Sequence, residues 1–163
     1  MAKDIRGVLV PSKDVKVLFP NTLVAEVISY EEPVKLDNVP DWLLGKVHWR
    51  GWSIPLISYS GLVHGKNEEI GPQTRIAVIK GINQIDDLPY IAIINDGVPR
   101  LQTITQGDLQ AHETRDEDHP AMAFRVTIHD ELAEIPDMEE IERSVQAALQ
   151  QVAQGDSVDE AES

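Results

Sequence analysis

PDWLLGKVHWRGWSIPLIS, residues 40–58, holds every tryptophan of a chain in which only 5% of residues are aromatic. It reads as two strands with a turn between them. Lys46–Arg50 alternates, with Val47 and Trp49 on one face and Lys46, His48 and Arg50 on the other. Trp52–Ser58 follows, and Gly51 offers the positive φ or bulge that would join the two and re-aim their neighbours. Val47 and Trp49 are expected to pack inward. Trp42 and Trp49 are expected to anchor the first barrel at its seam, because burying an indole is a large stabilising term. That leaves Arg50 at a strand end, directed outward. It either forms a surface ion pair, with Glu26 as the partner, worth ~0–1 kcal/mol, or it serves as an interface arginine, a residue type enriched where proteins bind. Pro40–Gly45 reads as one helical turn.

Working outward, short strands dominate. Gly7–Pro11 and Val15–Phe19 flank a turn at Ser12–Asp14, and Thr22–Tyr30 is a run rich in Val and Ile. One face of that run carries Leu23, Ala25 and Val27; the other carries Val24, Glu26, Ile28 and Tyr30. If only the first face is core, the second leaves an apolar stripe in water around one carboxylate, the mark of a contact surface. If both are core, Glu26 sits at an edge. Both readings stay open. Tyr59–Gly65 is a short helix or loop, and the polar Asn67–Gln73, with Gly71-Pro72, reads as a link between two halves.

A second strand set comprises Thr74–Ile82, Pro89–Asn95, Pro99–Thr105 and Met122–His129, with the acid-dense Asp108–Pro120 as a long loop. Met122, Phe124, Val126 and Ile128 share one face of the last strand. Met138, Ile141, Val145, Leu149 and Val152 then recur at helical spacing behind an Asp137–Glu140 capping box. The domain is set at 7–153, and the polar, acidic 154–163 is expected to be a disordered tail. Two sets of short strands predict a mainly β fold of two small barrels with one C-terminal helix.

Fourteen Lys and Arg against 28 Asp and Glu give a net charge of −14. Such a chain repels nucleic acid and anionic lipid, so no nucleic-acid partner and no direct membrane insertion are expected. The same charge steers a basic protein partner. The opening MAKDIRGVLV has charges where a leader would carry a long apolar run, and no window reaches transmembrane length, which predicts a cytoplasmic protein. With no cysteine, disulfide and thiolate chemistry are out. Gly61–Asn67 resembles a phosphate loop, but it has one residue too few between its glycines and Asn67 where a hydroxyl would hold magnesium. His112, Asp116, Asp118 and His119 crowd one loop, and flexible loops seldom supply ligand geometry. No metal and no cofactor are expected, and no nucleophile triad stands out. The competing readings are a small-molecule-binding β-barrel sensor, which needs a closed cavity with convergent polar groups, and a metal-dependent enzyme built on Asp108–Pro120.

VAEVISY (24–30), a proline-bracketed link, and residues 40–58 with Pro40, Gly45, Arg50, Gly51 and Pro55 in place together resemble the CheW-like domain, found in the coupling proteins of bacterial chemosensory arrays. The resemblance runs from about Gly7 to about Leu149; TRIAVIKG, YIAIINDGV and AFRVTIHD follow the family's rhythm. The wording is most similar to ChpC-type accessory coupling proteins of pilus-linked chemosensory systems. The resemblance implies two five-stranded SH3-like barrels interleaved around a shared core, and no catalytic residue. It implies an adaptor between the cytoplasmic tip of a methyl-accepting chemoreceptor and the regulatory domain of a CheA-type histidine kinase, with other CheW-like proteins as a further partner class. The system would be chemotaxis or type IV pilus twitching motility, at membrane-associated receptor arrays. By position, the resemblance assigns the receptor-contacting carboxylate to Glu26 with Val24 beside it, the Arg-Gly arginine to Arg50, and the structural glycine to Gly51. His48-Trp49 stand where many members have Asn-Leu.

Overall fold

Val8 and Val10 point away from Leu9 along one strand, yet all three are buried, and the same holds for Val17, Leu18 and Phe19 on the next. Strands apolar on both faces must lie between two cores, and that requirement organises the molecule. The computed structural model describes residues 5–82, 88–115 and 117–162, with side chains described except at 106 and 152–162. In chain order the strands are β1 (Ile5–Pro11), β2 (Lys16–Pro20), β3 (Val24–Ser29), β4 (Leu43–Trp49), β5 (Trp52–Ile57), β6 (Arg75–Lys80), β7 (Tyr90–Asn95), β8 (Arg100–Ile104), β9 (Leu109–His112), β10 (Met122–Ile128) and β11 (Glu131–Pro136). Helix α1 (Tyr59–His64) follows β5, and α2 (Met138–Glu162) ends the chain.

The strands form two curled sheets, one of six strands in the order β8-β1-β2-β11-β10-β9 and one of five in the order β3-β6-β7-β5-β4. This is the mainly β, two-barrel SH3-like architecture with a C-terminal helix, one barrel having a strand more than expected. The five-stranded sheet closes through a two-bond bridge between Val34 and Lys46 (2.8 and 2.9 Å). Its interior is filled by Val47, Trp49, Ile54, Leu56, Ile76 and Val78. The six-stranded sheet encloses Leu9, Leu18, Ile104, Val126 and Ile128. Between them lies the largest core, where Val10 and Phe19 meet Ile79 and Ile93 under Ile141 and Val145 of α2. Thus β1, β2, β6 and β7 each feed one barrel and the shared core.

Several expectations are corrected. The polar 67–73 segment does not divide the barrels, because β5 before it and β6 after it belong to the same five-stranded sheet. The division runs instead between the chain ends and its middle: β1 and β2 join β8–β11. The 108–120 stretch contains β9, which pairs with β10; β11 is a further strand. Asp41–Trp42 is a turn rather than helix, and β4 begins at Leu43. Thr22 falls in a 3₁₀ turn (Asn21–Leu23) before β3. The α2 backbone runs to Glu162. Glu140 N–H donates to Asp137 Oδ1 (3.2 Å) at the helix start, as expected of a cap.

Two buried carboxylates tie the barrels together. Glu68 accepts from Ser12 Oγ, from Lys13 N (3.1 Å) and from Ser58 Oγ (2.7 Å), so it joins the β1–β2 turn to the N-cap of α1. Glu134 of β11 accepts from Tyr59 Oη (2.8 Å) and meets His64 Nε2 (2.8 Å), both on α1. A buried charge persists only where hydrogen bonds replace its water, and these supply them.

Burial, and then the adjacent Glu134 charge and hydrogen bond, hold the Tyr59 hydroxyl well above the ordinary tyrosine range, against a weak opposing pull from Arg125. In the unfolded chain Tyr59 ionises near the usual value of about 10. Its contribution to stability is therefore complete below about pH 10 and is lost as pH rises above it. Chemical denaturation across pH 8–11 is expected to show a decline above about pH 10 that is shallower in Tyr59→Phe; parallel curves would contradict this. Gly45 adopts φ +142°, and a Cβ there would stand 2.4 Å from the Val34 carbonyl oxygen at the closing bridge. Gly45→Ala is expected to lower stability by about 2–4 kcal/mol through backbone strain plus overpacking. An unshifted denaturation midpoint would show that the bridge is dispensable.

Candidate functional site

Trp49↔Trp52 is the last pair of the β4–β5 ladder, leaving Arg50 and Gly51 as a two-residue loop. Their φ angles are +47° and +81°, the doubly left-handed turn that matches the twist of a hairpin. Gly51 takes this conformation freely, and a side chain there would meet nothing within 4 Å, so the glycine serves conformation rather than space. Arg50 bears a cost of roughly 1–2 kcal/mol for an L-residue in that region.

What faces Arg50 comes from the opposite edge of the same sheet. Glu26 on β3 accepts a hydrogen bond from Trp49 Nε1 at 2.6 Å, and its other oxygen lies 3.5 Å from Arg50 Nη2. The Arg50 guanidinium stands 5.0 Å from the Trp49 ring centroid. The Trp49 ring is itself held edge-on by Tyr90 at 4.7 Å, and Tyr90 lies 6.2 Å from Trp52, which is 46% exposed. An aromatic row therefore runs from the barrel interior to the surface and carries a carboxylate and a cation at its end. The side chains of Glu26 and Arg50 are 38% and 67% exposed. At that exposure the ion pair contributes ~0–1 kcal/mol and the cation–π contact ~0.5–1 kcal/mol, so Arg50 is oriented but not consumed. The surface ion pair with Glu26 forms, and the guanidinium still faces outward.

Of the four residues assigned by resemblance, the structure brings Glu26, Arg50 and Gly51 together. Val24 lies apart: a register shift between Val24 and Glu26 breaks the alternation of β3. Val24 packs against the shared core, while Ile28 and Tyr30 pack against the five-stranded barrel's interior. Of the two open readings of β3, the apolar stripe of Val24, Ile28 and Tyr30 in water does not form; Val27 is the exposed apolar residue of β3. Trp42 likewise packs half-buried against the shared core rather than inside the first barrel. Tyr90 and Trp52 belong to the site and escaped the sequence reading; the alternation of Trp49 and Trp52 about a two-residue turn was the available signal.

Residues raised for other chemistry have protein partners. His112 Nε2 meets Thr127 Oγ1 (2.7 Å), Asp118 pairs with Arg125 (2.9 Å), and His119 Nδ1 accepts from Ala121 N (3.0 Å); Asp116 lies outside the described residues. Among the described residues no three His, Asp or Glu cluster in a metal-binding arrangement. Nor is any described helix long and apolar enough to cross a membrane. The five-stranded barrel's interior is packed with side chains, and the six-stranded barrel holds an apolar cavity of about 140 Å³ beside Leu18 and Ile104, without the convergent polar groups of a small-molecule site.

Two SH3-like barrels around a shared core, with a charged aromatic edge at one hairpin, define a protein-docking scaffold. The profile of the CheW-like domain matches residues 6–146, and the chain belongs to that family. Members are non-enzymatic scaffold proteins that couple chemoreceptors to CheA, and this chain is a coupling adaptor of that kind. The scaffolding protein TtCheW from Thermoanaerobacter tengcongensis has a similar structure, with a TM-score of 0.69 at 15% identity over 83% of this chain and 86% of that one, a likeness of fold. No curated protein matches the sequence significantly.

Trp49→Phe keeps an aromatic ring, though a smaller one, and removes the donor to Glu26, so it is expected to cost about 1–3 kcal/mol. Trp49→Ala also empties the barrel and is expected to cost about 3–5 kcal/mol. An unshifted urea midpoint in Trp49→Phe would show that the hydrogen bond contributes nothing.

Proposed function

We propose that this chain docks its partners through the edge made by β3 and the β4–β5 turn, with Glu26, Arg50 and Gly51 at its centre and Val24, at the start of β3, at its margin. The partners are the cytoplasmic tip of a methyl-accepting chemoreceptor and the regulatory domain of a CheA-type histidine kinase, with other CheW-like proteins as neighbours in the array. The wording of residues 24–30 and 40–58 supports a pilus-linked, twitching-motility system, and the work place is the cytoplasmic side of membrane-associated receptor arrays.

The observation that carries this reading is the backbone of Arg50. A left-handed, two-thirds-exposed turn position is cheapest for Asn or Gly, and the ion pair and ring contact only offset the cost. Strain held at an exposed cation points to use of that cation. The Glu26 carboxylate and the Trp49 ring limit the rotamers it samples, so a partner's acidic or carbonyl group meets a guanidinium that loses little entropy on binding.

Arg50→Asn separates function from folding. It relieves the strain, so the melting temperature is expected to hold or rise. Co-sedimentation of the purified chain with receptor cytoplasmic fragments and kinase is expected to fall at least tenfold. Full assembly by the variant, or no association of the unmodified chain with either partner, would refute the proposal.

A further inference from the structure

At the C-terminal end of α1, a cleft of about 420 Å³ opens against the β1–β2 turn, β10 and β11. Three full cations line it, Lys13, Lys66 and Arg125, together with His64; its carboxylates are Asp14 and Glu134. In a chain with twice as many acids as bases, this reverses the local balance. The engaged groups can be set aside. Glu134 is bonded to Tyr59 and His64, and Arg125 is paired with Asp118. Among the described residues the ammonium groups of Lys13 and Lys66 bond to nothing, and Asp14 is the one lining carboxylate likewise without a partner.

The two lysines come from different barrels yet hang on one residue. The buried Ser60 donates its hydroxyl to the Lys13 carbonyl (2.9 Å) and accepts from Lys66 N through its own carbonyl (3.3 Å). Glu68 holds Lys13 N from the other side (3.1 Å). Both lysine stems are thus fixed at the backbone while their heads reach solvent. Beside them are Val15, half-buried, and Leu132, which is 65% exposed. The cleft therefore combines two anchored, unpaired cations with an apolar wall.

We propose that this cleft is a second docking site, taking an extended acidic segment of a partner protein, with a carboxylate between Lys13 and Lys66 and a neighbouring apolar side chain against Val15 and Leu132. The inference stands on this cleft alone and does not rest on the Glu26–Arg50 edge. Repulsion by the acidic remainder of the surface directs such a segment here and fixes its register. The open shape and the flexible lysine heads suit a chain passing through rather than an enclosed small molecule.

The test uses the full chain and a fluorescein-labelled, end-capped peptide of alternating Glu and Leu, with binding followed by anisotropy. Saturable binding is expected, weakening as salt rises. Lys13→Glu with Lys66→Glu is expected to weaken it at least tenfold. Asp14→Asn is expected to tighten it severalfold, since it removes the one unengaged carboxylate, and Asn is at ease at that residue's φ of +61°. Arg50→Asn is expected to leave it unchanged. Should the lysine variant fold poorly, the Asp14→Asn result still decides. Absence of saturable binding, or binding indifferent to all three charge changes, overturns the proposal. Competition by inorganic phosphate at concentrations equal to the peptide would show a small-anion site and overturn the peptide assignment.

Discussion

The indole N–H of Trp49 reaches across from one edge of a five-stranded sheet to the Glu26 carboxylate on the other edge. Curling a short sheet until its edges meet leaves one closing seam where backbone pairing is sparse, here a single bridge between Val34 and Lys46. A side-chain bond from a buried ring to a carboxylate at the rim completes that seam. It also decides what the surface looks like, because the same carboxylate faces Arg50 and the same ring lies beneath the guanidinium. The seam and the docking edge are one structure, which explains why two tryptophans, an arginine and a glycine fall together in an aromatic-poor chain.

Rigidity behind that edge comes from the way the barrels share material. Strands β6 and β7 are apolar on both faces because one side fills the five-stranded barrel and the other meets β1, β2 and α2. Interiors packed to this density resist independent movement of their layers. Two buried carboxylates, Glu68 and Glu134, add directional bonds between the barrels where apolar packing alone would permit sliding. An adaptor that joins two larger proteins transmits their relative positions only if its own halves hold still, and this construction supplies that property.

Legibility in the sequence followed the range of the interactions. The β4–β5 hairpin was readable because alternation and a turn glycine are local; so were β6 and β7 as apolar runs, and α2 from its periodic Met138, Ile141 and Val145. The capping residue of α2 was equally local. Strand β9 escaped because Leu109–His112 is short, polar and at a sheet edge, and β11 because Glu131–Pro136 carries two acids and a proline. The acid at 134 looks like surface in sequence and is buried where Tyr59 and His64, 75 and 70 positions away, supply its partners. The partition of strands between sheets depends on such pairings as β1 with β8 and β2 with β11, which no local pattern encodes. At the site, Glu26 and Arg50 could be named by resemblance, but the register shift that turns Val24 toward the shared core could not. The aromatic row through Tyr90 was equally invisible, since it forms only when β7 comes to lie beside β5.

The account stands on the Glu26–Trp49 bond being a real coupling rather than a coincidence of proximity. A double-mutant cycle measures this directly: urea denaturation of the unmodified chain, Glu26→Ala, Trp49→Phe and the pair. The account predicts that the two losses overlap, with a coupling of about 1–3 kcal/mol, since removing either partner already breaks the bond. Losses that simply add would mean that the barrel closes without this bond, and the link between seam and docking edge would fail.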